Sequence, residues 1–237
     1  MTRILVIVHE PSCSSGRLGQ LWRNAGADVV EINAWNHPVP PIVDADALVV
    51  LGGSMSCQDD AEAPWLAPTR QLISRTVRAG TPFLGICLGH QLATVALGGQ
   101  VCTSDHFCLG AAEMHLTPEG KKDPLLSVYD GHRGIHFNND VAVVLPEDAV
   151  LLARDPTGQI EAVRFAERAW GVLFHAEGAP GLFDAWTCGH GENEWQQRLP
   201  WSEAVTVAET VRRDIDTVNA EEAFAARFQE LIDPEKR

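Results

Sequence analysis

The densest chemical signal in the chain is Pro82-Phe83-Leu84-Gly85-Ile86-Cys87-Leu88-Gly89-His90-Gln91-Leu92. A cysteine stands between two glycines, each two residues away, where an apolar run ends and a helical pattern begins. This is the thiol counterpart of a nucleophile elbow. A sharp turn has to lift the side chain out of a sheet, and residues without bulk let the backbone pass closely. A helix starting at Leu88 then offers free N–H groups and the positive end of its dipole, both of which favour a thiolate. The plain alternative is a buried core cysteine beside packing glycines.

A thiolate nucleophile needs a base and a group to orient that base. Among nine histidines, His175 stands out, because the run Trp170–Phe174 leads straight into His175-Ala176-Glu177-Gly178. Read as the end of a strand, His175 and Glu177 share a face, so that the carboxylate fixes the imidazole tautomer. The alternative is two polar residues facing solvent. Acyl transfer also needs donors for an oxyanion. The Leu88 N–H follows the cysteine, and Leu51-Gly52-Gly53-Ser54 closes an earlier strand pattern. In a parallel sheet that loop lies at the same carboxyl-terminal edge as Cys87. A glycine pair there lets the backbone approach a substrate, although it also suits a tight turn.

The elements that must position these residues alternate. Ile4–Val8, Asp28–Ile32, Ala47–Leu51 and Phe83–Ile86 read as strands. Gly16–Ala25, Ala63–Ala79 and Leu88–Leu97 read as helices. Strands apolar on both faces, separated by helices, predict a parallel sheet covered on both sides. After Gly99 the pattern changes to short strands at Glu113–Leu116, Gly134–Phe137, Val150–Ala153, Ile160–Phe165 and Trp170–Phe174, a meander or mixed extension of the sheet. Ser202–Val218 and Glu221–Ile232 read as a helical C-terminal extension, about 202–237. No repeat or linker interrupts the 237 residues, and they read as a single domain.

Composition narrows the functions. Eighteen basic and 32 acidic side chains give a net charge of −14. Such a surface repels phosphate backbones and anionic membranes, so neither nucleic acid nor membrane is an expected partner. The N-terminal apolar run of five residues, Ile4–Val8, is too short for a signal peptide core or a membrane span, which predicts a cytoplasmic protein. The six cysteines, at 13, 57, 87, 102, 108 and 188, form no CxxC. Cys102 and Cys108 flank His106, but spacing supplies no fourth ligand, so no metal and no cofactor are expected.

Gly85-Ile86-Cys87-Leu88-Gly89-His90-Gln91, the earlier Gly52-Gly53 and the later His175-x-Glu177 together resemble the class I glutamine amidotransferases, over most of residues 1–178. The likeness is greatest to stand-alone proteins related to the GMP synthase glutaminase domain. The resemblance implies a three-layer α/β fold with a mainly parallel central sheet and a flavodoxin-like core. It implies a Cys87–His175–Glu177 triad that attacks a γ-glutamyl amide, forms a thioester, and releases ammonia or amine and then glutamate. The Gly53 and Leu88 N–H groups match the oxyanion hole. Gly52, Gln91 and Asn138 fall at substrate-contacting positions.

Two positions depart from the family pattern. Ala176 replaces the proline of His-Pro-Glu, and Asn138 stands where a family histidine is usual. Trp186–Trp201, with Cys188, His190 and Glu192, has no counterpart and reads as a surface loop. No GxxxxGK[ST] motif or synthetase-sized segment is present. Either a partner synthetase accepts the ammonia, or the chain hydrolyses a γ-glutamyl peptide or amine. Asn138 and the missing acceptor predict that free glutamine is not the best substrate of the isolated chain. The competing class is a non-catalytic amidotransferase-like module for binding or regulation, which the intact Cys87, His175 and Glu177 oppose.

Overall fold

The computed structural model describes residues 1–178 and 220–232. The segment 186–201 and the helix expected over Ser202–Val218 lie outside the described residues. The first half of the chain alternates as expected: β1 (Arg3–Val8), α1 (Gly16–Asn24), β2 (Asp28–Asn33), β3 (Ala47–Val50), α2 (Leu66–Arg78), β4 (Phe83–Ile86) and α3 (Leu88–Ala96). There follow β5 (Gln100–Glu113), β6 (His115–Leu116), β7 (Arg133–Val144), β8 (Val150–Arg154), β9 (Ile160–Ala166), β10 (Ala169–Val172) and α4 (Ala220–Ile232).

The described residues form an eight-stranded sheet in the order β2-β1-β3-β4-β10-β9-β8-β6. Strands β2, β1, β3, β4 and β10 are parallel, and β9, β8 and β6 continue antiparallel. Every residue of β3, β4 and β10 is buried, as a strand covered on both faces requires. Alternate residues of β1 feed two cores. Ile4, Val6 and Val8 pack with Leu18 and Trp22 of α1 and with Phe224 and Phe228 of α4. Leu5 and Ile7 pack on the other side with Leu72 and Ile73 of α2 and Leu92 of α3. The result is three layers, with α1 and α4 on one face and α2 and α3 on the other.

Three expectations are corrected. The meander is only half right: β6, β8, β9 and β10 extend the main sheet, but β5 and β7 pair with each other as a separate antiparallel ribbon. The strand expected at Gly134–Phe137 runs on to Val144 through Asn138-Asn139-Asp140, residues with poor strand propensity. Tertiary bonds outweigh that preference. The Asp140 carboxylate accepts from Ser56 Oγ (2.7 Å) and Thr103 Oγ1 (2.9 Å), and its carbonyl accepts from Gln91 Nε2 (2.9 Å). The last strand, expected to reach Phe174, stops at Val172.

Helix α4 is bound into the fold by Trp22, whose ring lies 5.7 Å from Phe228 and whose Nε1 donates to the Ala225 carbonyl (3.1 Å). Trp22→Ala therefore removes a fully buried ring and leaves a cavity between α1 and α4. We expect a loss of about 3–5 kcal/mol in urea unfolding, against near-zero loss for an exposed substitution such as Ile42→Ala.

Candidate active site

Cys87 follows β4 directly and caps α3 with φ 51° and ψ −107°. Among the described residues it is the one non-glycine with positive φ. Such a conformation costs about 1–3 kcal/mol and persists where its surroundings enforce it. Here they do. The Cys87 N–H donates to Val172 O of β10 (2.8 Å), and the Gly89 N–H to Leu51 O (3.1 Å). A Cβ on Gly89 would lie 2.0 Å from Val50 O, and one on Gly85 2.5 Å from Gly89 O. Both glycines of the motif are thus required by backbone contact: the first turn of α3 is seated on the ends of β3 and β4.

His175 and Glu177 lie beyond β10, in a turn closed by Gly178 N–H to His175 O (3.3 Å). The reading that they share a strand face is therefore corrected. They meet because the chain curls after the strand, bringing Glu177 Oε1 to 2.8 Å from His175 Nδ1. Ala176 is buried and accommodates that curl. Backbone bonds hold both ends: His175 N–H donates to Ile135 O of β7 (2.8 Å), and Arg17 N–H at the start of α1 donates to Glu177 O (3.1 Å).

The imidazole lies beside Cys87: one Cβ built on Gly52 would meet both the His175 ring and Cys87 Cβ, at 3.1 and 3.6 Å. Burial alone pushes His175 toward the neutral form, but the charges of Glu177 and Cys87 and their hydrogen bonds outweigh it and hold the pKa well above 6.5. His175 is thus positioned between a carboxylate and the Cys87 sulfur, both of which favour its protonated form.

The glycine loop after β3 reaches the same place. A Cβ on Gly52 would lie 3.1 Å from His175 Cε1 and 3.6 Å from Cys87 Cβ. One on Gly53 would lie 2.9 Å from Leu88 Cδ2. Cys87, His175, Glu177, Gly52, Gly53 and Leu88 are thus brought together. Gln91 is one helical turn beyond Cys87, but its Nε2 donates to Asp140 O and ties α3 to β7. Asn138 is buried in β7 with neither amide atom partnered. A buried amide with unused donors and acceptors is costly unless something meets it.

Sequence reasoning missed a second buried imidazole–carboxylate pair. His136 Nε2 lies 2.6 Å from Glu161 Oε2 across β7 and β9, and burial, opposed by His136, raises the Glu161 pKa. The available signal was polar residues at 136, 138 and 140, alternate positions of one strand, which form a buried polar face. Among the described residues no group of three or more His, Cys, Asp or Glu side chains could hold a metal ion. Among them, too, no helix is long and apolar enough to cross a membrane.

Residues 20–187 match the glutamine amidotransferase class-I family. The chain is 29% identical over 181 residues to the glutamine amidotransferase-like protein YfeJ of Salmonella typhimurium, covering 74% of this chain and 75% of that protein. It is 29% identical over 153 residues to a glutamine-hydrolyzing GMP synthase chain of Halobacterium salinarum, covering 63% and 76%. A crystal structure of a glutamine amidotransferase from Methylobacillus flagellatus superimposes with a TM-score of 0.83 at 23% identity, covering 98% of this chain and 95% of that one. One from Thermotoga maritima gives 0.82 at 19%, covering 98% of each. These two likenesses establish the fold.

The raised pKa of His175 has a definite sign. Its favourable contribution to stability is complete below pH 6.5 and is lost as pH rises through the higher folded value. An NMR titration of the His175 ring should show no step near pH 6.5. In Glu177→Gln, where burial is opposed by less charge, the titration should move downward.

Proposed function

The chain belongs to the class I glutamine amidotransferases, and from that membership we propose that it is a thiol hydrolase of γ-glutamyl amides with Cys87 as nucleophile, His175 as proton carrier and Glu177 as its orienter. The family hydrolyses the glutamine amide through a cysteine. The observation that carries the reading for this chain is the strained Cys87 at the strand–helix junction, beside an imidazole that is bonded to a buried carboxylate.

The steps follow from the arrangement. Cys87 Sγ, as thiolate, adds to the γ-carbonyl carbon, and the negative charge passes to the carbonyl oxygen. Gly53 N–H and Leu88 N–H are the donors proposed for that oxyanion. Protonated His175 gives its proton to the amide nitrogen, the C–N bond breaks, and ammonia or an amine leaves. The γ-glutamyl group remains as a thioester on Cys87. Neutral His175 then takes a proton from water as the water adds to the thioester. The C–S bond breaks, the thiolate is regenerated, and the γ-carboxylic acid leaves, giving its proton to solvent to become glutamate. Glu177 orients His175 and stabilises the imidazolium that each cycle restores.

Substrate contacts are assigned to Gly52, whose lack of a side chain leaves room beside His175 and Cys87, to the side-chain carbonyl oxygen of Gln91, and to Asn138. The unpartnered Asn138 amide supports recognition of a polar group other than the one a family histidine meets, since a site built around polar groups rejects ligands that leave them unpaired. Relatives include a glutamine-hydrolyzing GMP synthase chain, so a partner synthetase that receives ammonia is the other destination for the same chemistry. No cofactor is invoked.

Cys87→Ser should lower turnover by about 10³-fold or more, since a serine hydroxyl is not ionised at neutral pH. Glutamate release from glutamine, γ-glutamyl peptides and γ-glutamyl amines measures this. The same panel should give kcat/KM for a γ-glutamyl peptide or amine above that for glutamine when no partner is present. Full activity in Cys87→Ser would end the assignment, and a preference for glutamine would end the substrate reading alone.

A further inference from the structure

We propose that Glu10, in the loop after β1, is a positioning residue for the oxyanion-binding loop; this rests on the role given above to the Gly53 N–H. The loop Gly52-Gly53-Ser54 has no regular structure, and two successive glycines leave its backbone free to take many conformations. An N–H donor is useful in catalysis only when it is fixed in advance where the charge develops. Something must hold this loop.

Residues 9 and 10 each supply one contact. Gly53 is wedged among Met55, Leu88 and His9: a Cβ on it would lie 2.7 Å from Met55 Sδ, 2.9 Å from Leu88 Cδ2 and 3.1 Å from His9 Cβ. The His9 wedge is rigid and uncharged. Trp65 Nε1, which can only donate, lies 3.1 Å from His9 Nδ1, so Nδ1 is the acceptor and the ring is neutral. The next residue supplies a polar latch, with Ser54 Oγ donating to Glu10 Oε2 at 2.7 Å.

The other oxygen of Glu10 makes the latch more than local. Cys13 Sγ donates to Glu10 Oε1 at 3.1 Å. Four residues later, Arg17 N–H is bonded to the Glu177 carbonyl. One short segment, residues 9–17, therefore touches both the glycine loop and the turn that carries His175 and Glu177. A carboxylate between Ser54 and Cys13 sets the distance between those two parts of the site. Packing through His9 fixes the direction of the loop, and Glu10 fixes its depth.

The test compares two reactions at Cys87 in the full chain. Hydrolysis of γ-glutamyl-p-nitroanilide passes through an oxyanion. Alkylation by iodoacetamide, followed by peptide mass spectrometry of the Cys87 peptide, does not. Glu10→Ala and Ser54→Ala should each lower kcat about tenfold, with KM and the alkylation rate within about twofold of wild type. Glu10→Gln keeps an acceptor for the Ser54 hydroxyl and should retain most of kcat. The double variant should be no slower than Glu10→Ala, because both changes cut one contact. Wild-type kcat in Glu10→Ala, a parallel fall in alkylation, or multiplied losses in the double variant would each overturn the proposal. Ser54→Ala, on an exposed loop position, keeps the test in force if Glu10→Ala does not fold. A failure of the underlying chemistry would appear in the wild-type protein, whereas a failure of this inference would appear only in the variants.

Discussion

The first turn of α3 lies closer to the end of β3 than any side chain would permit, and the rest of the site depends on that approach. Gly89 sits on the Val50 carbonyl, where an added methyl would be 2.0 Å from the oxygen. With Gly89 seated there and β4 ending at Ile86, a single residue must reverse the chain. That residue is Cys87, and its positive φ follows from the limited space. The cost, about 1–3 kcal/mol, is offset by backbone bonds to β10 and to Leu51. The same approach places the Leu88 side chain against Gly53 and Gly52 against His175 and Cys87. Backbone packing thus assembles groups from three separate stretches of chain before any side-chain interaction is counted.

Electrostatics then select what that geometry can do. The protein carries a net charge of −14, yet two of its buried carboxylates each meet an imidazole. Burying a carboxylate or an imidazolium alone is expensive, and each offsets the penalty of the other. His175 with Glu177 and His136 with Glu161 are those two pairs. They differ in what the pair serves. His175 also lies beside Cys87, the proposed nucleophile; His136 instead fixes β7 against β9. Asn138 lies two residues from His136 on the same face of β7, and Ile135 on the other side of His136 accepts from His175. One strand therefore carries both a brace for the imidazole and the unpartnered amide assigned to substrate.

Much of this was legible in the sequence where local chemistry decides. The G-x-C-x-G spacing announced the elbow, because only close backbone contact requires glycine on both sides of a cysteine. The apolar runs of β1, β3 and β4 announced a covered parallel sheet, because no other environment hides both faces of a strand. The route to the His175–Glu177 pair was not legible. Strand alternation and a post-strand turn both bring residues two apart together, and a sequence does not distinguish them when the β10 partners are far away in the chain. The β5–β7 ribbon was harder still, since Asn138-Asn139-Asp140 disfavours a strand until Ser56, Thr103 and Gln91 bind Asp140. Glu10 carried no signal at all, because its meaning lies in Ser54, 44 residues away.

The central claim is that Cys87 holds the γ-glutamyl group as a thioester during turnover. It is tested most directly by quenching the protein with acid while it is turning over a γ-glutamyl amide and mapping the adduct by peptide mass spectrometry. The predicted result is a γ-glutamyl group on the Cys87 peptide alone, removable by hydroxylamine as a thioester is. Turnover that proceeds with no adduct on Cys87, or with the adduct on another cysteine, would contradict it.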